Sequence, residues 1–415
     1  MHIIIQKIRT GMYKDFILSL LASAVTTAAS QLITYPLLAR LCTQEEYGLI
    51  LTIMGIGNVI ILAFGNSLNN VRLVMNAEYE EKQVEGDFLP MLSVLTLTGT
   101  VIYCIYLCNF GKNHPITVLM LTGFALVGIL QSYGSVAFRI KINYFKNLML
   151  CIWIAVGNVL GITIFYLTKQ FAFWAMTFLF GQAVGLIYIY TRSDLFREKK
   201  RKTVLFWKTA KKECVLLFTT LCANLLVYLD RLLLYPLLGA EAVSIYTVSS
   251  FFGKSLAILM TPISSVLLSY YAQRDFEMTR SRFWKTNSLT LLVSAAFMGL
   301  SVILSEWVTG FLYPTIIEQA KPFLFMANLA AVVNVIGNMV SPAVLKYAST
   351  SWMAVNQIVY MILYLGLGIL LSRNDGLRGF SYAALIAGVV RVLIFYIVGH
   401  FALRDSTEKK EVGLS

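Results

Sequence analysis

Apolar residues run along this chain in long stretches, broken at intervals by charged or turn-forming residues. A membrane-spanning helix needs about 20 predominantly apolar residues. Twelve stretches qualify: 15–41, 46–72, 88–108, 115–138, 147–168, 171–192, 212–236, 241–272, 285–305, 318–345, 352–372 and 377–402. No long segment alternates polar and apolar positions as an outer-membrane barrel strand would. Hydrocarbon offers backbone N–H and C=O groups no water, so each must be satisfied within the structure, and helices do this segment by segment. The pattern predicts an all-α polytopic membrane protein of about 12 transmembrane helices. The first apolar run, from Phe16 to about Leu41, exceeds the roughly 7–15 residues of a signal-peptide core and is read as an uncleaved first helix.

Composition sharpens this. Of 415 residues, 58% are hydrophobic and 13% charged, against about 25% charged in a typical soluble domain. The formal net charge of +13 would suggest nucleic-acid binding in a soluble protein. Here its distribution decides. Of the 34 Lys and Arg, 25 fall on the side that holds both termini, six on the other side and three within helices. Cytoplasmic loops of membrane proteins are enriched in Lys and Arg, so both termini are expected in the cytoplasm and no nucleic-acid partner is needed. The longest cytoplasmic loop, 193–211, carries Arg197-Glu198-Lys199-Lys200-Arg201-Lys202. It reads as a topology anchor on anionic headgroups, or as a regulatory or partner-binding segment.

That basic loop divides the chain into two expected halves of six helices, 1–200 and 201–415. A local repeat agrees. Tyr35-Pro36-Leu37-Leu38 closes the first apolar run and Tyr235-Pro236-Leu237-Leu238 closes the seventh, each followed by a short acidic turn and a tyrosine, Tyr47 or Tyr246. An even number of helices per half gives the halves the same orientation, a parallel pseudo-twofold repeat of two six-helix bundles.

A Lys or Arg near the bilayer centre costs about 2.5–3.5 kcal/mol on insertion scales, so the three cations within helices need an environment that compensates them. Lys254 lies mid-span, with Thr247, Ser250, Thr261 and Ser265 at helical spacing. This stripe either lines a cavity or serves an ion pair of Lys254 with Asp230. Arg231 shares a face with Thr220, Asn224 and Tyr228, and either lines the cavity or snorkels to the interface. Arg391 lies mid-span near Gly388, with structural pairing as the alternative; Arg40 reads as an interfacial anchor. Asn58, Asn66, Asn69 and Asn70, and Asn334, Asn338 and Ser341, add amides and a hydroxyl. Singly they are expected to hold helices together; collectively they suit a hydrated interior for sugar hydroxyls. Pro262 and Pro342 are expected to kink their helices.

The six cysteines form no CxxC pair and fall in or beside apolar runs, so they read as packing residues. His114 and His400 are placed at helix ends without partners. With no nucleophile constellation and no phosphate-cradling glycine loop, neither an enzyme, a cofactor nor a metal site is expected.

Tyr35-Pro36-Leu37-Leu38-Ala39-Arg40 with Glu45-Glu46-Tyr47-Gly48, and Tyr228-Leu229-Asp230-Arg231 through Leu238-Gly239-Ala240-Glu241-Ala242-Val243 to Tyr246, resemble the two half-signatures of the Wzx-type polysaccharide flippases of the MOP superfamily. Ser244 stands where the family commonly has glycine. The resemblance implies a bacterial inner-membrane protein of O-antigen, capsule or lipopolysaccharide assembly. Such a protein moves an undecaprenyl-pyrophosphate-linked oligosaccharide from the cytoplasmic to the outer leaflet by alternating access. Its implied partners are that lipid, the surrounding membrane lipids and other polysaccharide-assembly membrane proteins. Lys254, Arg231, Asp230, Arg391, Arg40, Asn224, Asn66 and Asn338 are the expected substrate residues. A MATE-like drug or cation antiporter is the alternative; it would favour acidic membrane residues, whereas Asp230 is nearly alone here. A membrane enzyme of polysaccharide assembly is a further one.

Overall fold

A computed structural model of the chain describes residues 17–109, 114–271, 278–348 and 350–412. Lys7, Arg9, Lys14, Lys112 and Arg274 lie outside them, as do the side chains of Thr261, Pro262 and Ser265. The described residues are nearly all helical, without a strand. Nine helices are long and apolar enough to cross a membrane, and a bent pair makes a tenth. They are α1 (Ile17–Leu41), α2 (Gln44–Glu81), α3 (Phe88–Asn109), α4 (Pro115–Ile140), α5 (Tyr144–Thr168), α6 (Phe171–Arg192), α7 (Phe206–Val227 with Leu229–Leu238), α9 (Arg280–Leu312) and α10 (Ile317–Tyr347), together with the helix Thr350–Val412. That last helix breaks at Asp375 and Gly376, where Gly376 has φ +57. Glycine adopts this left-handed geometry at no steric cost, and the break yields α11 (350–374) and α12 (377–412). Ala240–Ser249 and Phe251–Tyr271 form α8. The twelve expected segments thus each coincide with a helix.

Several helices are interrupted for reasons visible in the sequence. Pro36 has no N–H to offer Leu32, and its ring crowds that carbonyl. The preceding turn, Ala29–Thr34, widens to π-helical geometry, and Thr34 Oγ1 donates to the Ala29 carbonyl at 3.0 Å. A second π-helical turn, Leu62–Asn66, lies within α2. The α7 pair bends by 57° at Tyr228. Asp230 lies in the first turn of the second segment and accepts the Arg231 backbone N–H at 2.8 Å, satisfying a donor that a helix start exposes. α10 carries Pro342 in its interior.

The described chain packs as two compact units. Residues to Thr43 with Ile50–Leu232 form the first; Gln44–Leu49 with the chain from Leu233 form the second. The expected halves, 1–200 and 201–415, divide the helices by repeat, and the compact units divide the chain elsewhere. α7 up to Leu232 stays with the first unit because its early turns are tied to α2: Ser67 Oγ donates to Glu213 at 2.5 Å and Lys208 pairs with Glu78 at 2.7 Å.

In the first unit α5 and α6 touch through glycines. A Cβ on Gly157 would lie 2.6 Å from the Phe180 carbonyl oxygen, and one on Gly161 2.5 Å from that of Met176. This is the small-xxx-small approach of membrane helices, in which packing replaces the hydrophobic drive absent in lipid. In the second unit the core gathers Leu256, Phe283, Val335, Val340, Val344 and Phe395 from α8, α9, α10 and α12. Gly253 N–H donates to Asn328 Oδ1 at 2.7 Å, locking α8 to α10.

Candidate functional site

The sequence-selected residues fall into separate groups, one in the first unit and two in the second. In the first, Arg231 sits just past the bend of α7 and is 9% exposed. Its guanidinium carbon lies 5.9 Å from the Tyr35 ring and 5.7 Å from the Tyr228 ring, and Nη1 reaches the Leu51 carbonyl at 3.4 Å. Asp230 is buried beside it. Both aromatic faces supply the negative electrostatic surface that attracts a cation. The guanidinium is therefore turned inward against the first unit. Gly55 on α2 leaves room for this packing, with the Tyr228 ring and Arg231 Cδ in contact range of any Cβ there. Asn224 is half-buried and donates to the Thr220 carbonyl of its own helix at 2.8 Å. Asn66 is half-buried at the end of the π-helical turn of α2, and Arg40 is exposed in the last turn of α1.

In the second unit Arg391 of α12 is half-buried. Its Nη1 donates to Asn334 Oδ1 at 3.3 Å and its Nη2 to Asn338 Oδ1 at 2.9 Å. The two asparagines stand one turn apart on α10, so one fork of donors meets both. The guanidinium also lies 5.3 Å from the Tyr360 ring and 5.7 Å from that of Phe395. Asn356 of α11, fully buried, donates to the Arg391 carbonyl at 3.3 Å. Arg391 Nε and Asn356 Oδ1 are buried and have no hydrogen-bond partner among the described residues. No described carboxylate pairs with Arg391. Its positive charge is held by amides and aromatic faces, and Asn338 stays exposed beside it.

Lys254 forms the other group. It is exposed, with Nζ 5.6 Å from the Tyr246 ring, and the Tyr246 ring packs edge-on against Phe380, 4.9 Å away. Of the expected polar stripe around it, the side chains of Thr261 and Ser265 lie outside those described. Ser250 is fully buried and its hydroxyl donates to the Tyr246 carbonyl at 2.8 Å, so it serves its own helix at the break in α8.

Three features escaped the sequence reading. Asn356 and Tyr360 were buried in an apolar run with nothing to single them out beyond the i, i+4 spacing they share. Glu213, next to Lys212 in α7, was not singled out in the sequence. It is in fact 5% exposed and bonded to Ser67, so Asp230 is not the lone carboxylate within the helices. His400 is the third. It accepts from Trp284 Nε1 at 3.1 Å and from Arg280 Nε at 2.9 Å, where no partner was expected. His114 likewise accepts the Ile116 N–H at 3.3 Å as the N-cap of α4. Two of the expected asparagines, Asn69 and Asn70, are used to join helices: both accept from Arg139 of α4.

No protein-family model and no curated protein sequence matches the chain. Solved structures do. An inward-facing multidrug resistance MATE family transporter of the MOP superfamily superposes with TM-score 0.71 at 13% identity, over 95% of this chain and 96% of that one. The lipid II flippase MurJ in an inward closed conformation gives 0.69 at 15% identity, over 94% and 86%. A MATE in a straight conformation gives 0.66 at 13% identity, over 96% of each. At such identities the likeness is one of fold: this is a multi-pass membrane protein with the fold of the MOP-superfamily transporters.

Proposed function

We propose that this chain is a flippase that carries a lipid-linked oligosaccharide, on undecaprenyl pyrophosphate, from the cytoplasmic to the outer leaflet of a bacterial inner membrane. The observation that carries the reading is the Arg391 cluster. A guanidinium within a membrane helix is costly, and here it is held by neutral amides and rings. Its charge remains for an anion, and arginine's fork suits phosphate oxygens. The exposed amide of Asn338 offers a partner to sugar hydroxyls. Arg231 and Lys254 are the further cations of the route, with Asp230, Asn224, Asn66 and Arg40 as its polar accessories. The two six-helix halves, 1–200 and 201–415, act as parallel repeats with both termini cytoplasmic, and rock to expose the route to each leaflet in turn. The isoprenoid tail stays in the bilayer. Two of the solved structures that share this fold are described as a multidrug resistance transporter and a lipid II flippase, and the second description is the nearer to this chemistry.

The test is reconstitution in liposomes with fluorescent undecaprenyl-pyrophosphate oligosaccharide in both leaflets. The protein should expose the inner pool to an external reagent many times faster than lipid alone; exchange at the protein-free rate refutes the proposal. Lys254→Gln should slow the exchange, and an unchanged rate would remove Lys254 from the route.

One observation favours a second reading, a proton-driven antiporter of the MATE kind. Glu213 is a buried carboxylate inside α7, with Oε1 on Ser67 and Oε2 without a partner among the described residues. Drug efflux lost in Glu213→Gln, together with no oligosaccharide exchange by the wild type, would select that reading.

A further inference from the structure

The basic segment between α6 and α7 is folded tightly against the helices beside it. Asp87, fully buried at the head of α3, accepts the Thr203 backbone N–H at 2.7 Å, the Thr203 hydroxyl and the Tyr79 hydroxyl at 2.6 Å. The Arg201 N–H donates to the Gly86 carbonyl at 3.3 Å. On one flank Glu198 takes Arg72 in a two-point pair at 2.6 and 2.8 Å; on the other Lys208 pairs with Glu78. Both acidic neighbours are thereby committed. The side chains of Lys199, Lys200, Arg201 and Lys202 between them are exposed and meet no described carboxylate.

The last of these cations, Lys202, lines an apolar groove of about 320 Å³ between α3 and α7, and the other three directly precede it in the chain. Pro90, Val94 and Leu95 form one wall; Phe206, Ala210 and Cys214 form the other. Its polar linings are Lys202, whose Nζ lies 5.0 Å from the Phe206 ring, and Glu213, whose Oε1 is turned to Ser67. Val204 and Trp207, the latter packed edge-on against the groove residue Phe206, are 82% and 74% exposed. Tryptophan favours the headgroup level, where its ring is half in hydrocarbon and half wet. An apolar trough lined by Lys202, with three further exposed cations consecutive to it in the chain, is complementary to one chemistry: a phosphate carrying an acyl chain.

We propose that this groove is a binding site for an anionic glycerophospholipid, with one acyl chain along the α3–α7 trough and the phosphate at Lys202, Lys199 and Lys200. Every lining residue belongs to the first unit, so the site is complete without the second, as suits a resident lipid rather than a travelling cargo. The clamp at Gly86 and Asp87 fixes the backbone on either side of Lys202 before the lipid arrives, which lowers the ordering cost that a floppy basic tail would meet. Free polybasic segments attract anionic surfaces without selecting a position; this one is fixed above a groove.

Native mass spectrometry of the full-length protein, released from mixed micelles of phosphatidylglycerol and phosphatidylcholine, tests this directly. The wild type should retain one phosphatidylglycerol per chain with at least a tenfold preference over phosphatidylcholine. The triple variant Lys199→Gln, Lys200→Gln, Lys202→Gln changes only exposed side chains and should lose that preference. Ala210→Phe or, from the opposite wall, Val94→Trp should lose the bound lipid of either kind, with folding checked by gel filtration. Equal retention of the two lipids by the wild type, or a preference that survives in the triple variant, overturns the proposal. Displacement of bound phosphatidylglycerol by undecaprenyl-pyrophosphate oligosaccharide at equimolar amounts would also overturn it, by giving the groove to the cargo.

Discussion

Two arginines in this chain each reach a pair of asparagines on another helix, and the two knots differ in what they leave over. Arg139 of α4 donates to Asn69 at 2.6 Å and Asn70 at 3.3 Å on α2. Asn69 is fully buried, and its amide nitrogen donates in turn to the Ser132 carbonyl and the Ser135 hydroxyl. Each polar atom of Asn69 is therefore satisfied by protein. Arg391 makes the same pair of bonds to Asn334 and Asn338, yet its own Nε and the Oδ1 of Asn356 remain without partners and Asn338 faces outward. A closed network rigidifies; a network with groups to spare holds capacity for something else, because a buried polar atom left unmet is costly. Residue type is the same in both, so only the ledger of hydrogen bonds separates a fastener from a site.

The largest effect that would break this contrast is on transport. Arg391→Gln removes a charged donor worth about 1.5–3 kcal/mol per bond, so exchange of the labelled lipid-linked oligosaccharide should fall by roughly tenfold to a hundredfold, with the melting temperature little changed. A large loss of stability with normal exchange per folded molecule would make this knot a fastener too. Asn69→Ala should do the reverse. Loss of the Asn69 bonds leaves Arg139 only the longer one to Asn70 and costs about 1–3 kcal/mol, seen as a lower midpoint of thermal unfolding in detergent, while exchange per folded molecule stays near wild type.

A third network sharpens the comparison at smaller amplitude. Tyr79→Phe deletes one donor to Asp87 but leaves those from Thr203. It should cost about 1 kcal/mol and speed proteolytic nicking within 193–211; an unchanged digestion rate would mean the loop is held by other contacts. Trp284→Phe takes one hydrogen bond from His400 and keeps the ring, so the expected loss is about 0.5–1 kcal/mol, measured by the same thermal midpoint.

The helices were legible because hydrocarbon imposes a single requirement, a long apolar run, and each of the twelve runs meets it. Their ends were less so. The run 46–72 stops at Arg72, the first charge after Glu46, but α2 continues to Glu81. Met75 and Tyr79 are buried there and Arg72 is neutralised by Glu198, a partner far along the chain that no window reading contains. The site shows the same limit. Asn334 and Asn338 announce themselves at i, i+4, and Arg391 as a charge within a span, but nothing in the sequence pairs them. Asn356 and Tyr360 carry no signal of their own, since an amide and a phenol in an apolar helix are as often glue as ligand. In the Lys254 stripe, helical spacing grouped Ser250 with its neighbours but said nothing of where the hydroxyl goes. A serine in a helix can always bond the carbonyl one turn back.

The turn after each Tyr-Pro-Leu-Leu stretch imposes a constraint that reaches beyond this molecule. In the second unit Gly48 lies so close to Ala240 that a Cβ there would overlap the Ala240 carbonyl oxygen and carbon, the latter at 2.5 Å, and backbone cannot swing aside as a side chain can. Every other amino acid is excluded at position 48 unless the junction itself is rebuilt. Sequences that have drifted too far to be aligned by overall identity could still be set in register on that one forbidden methyl group.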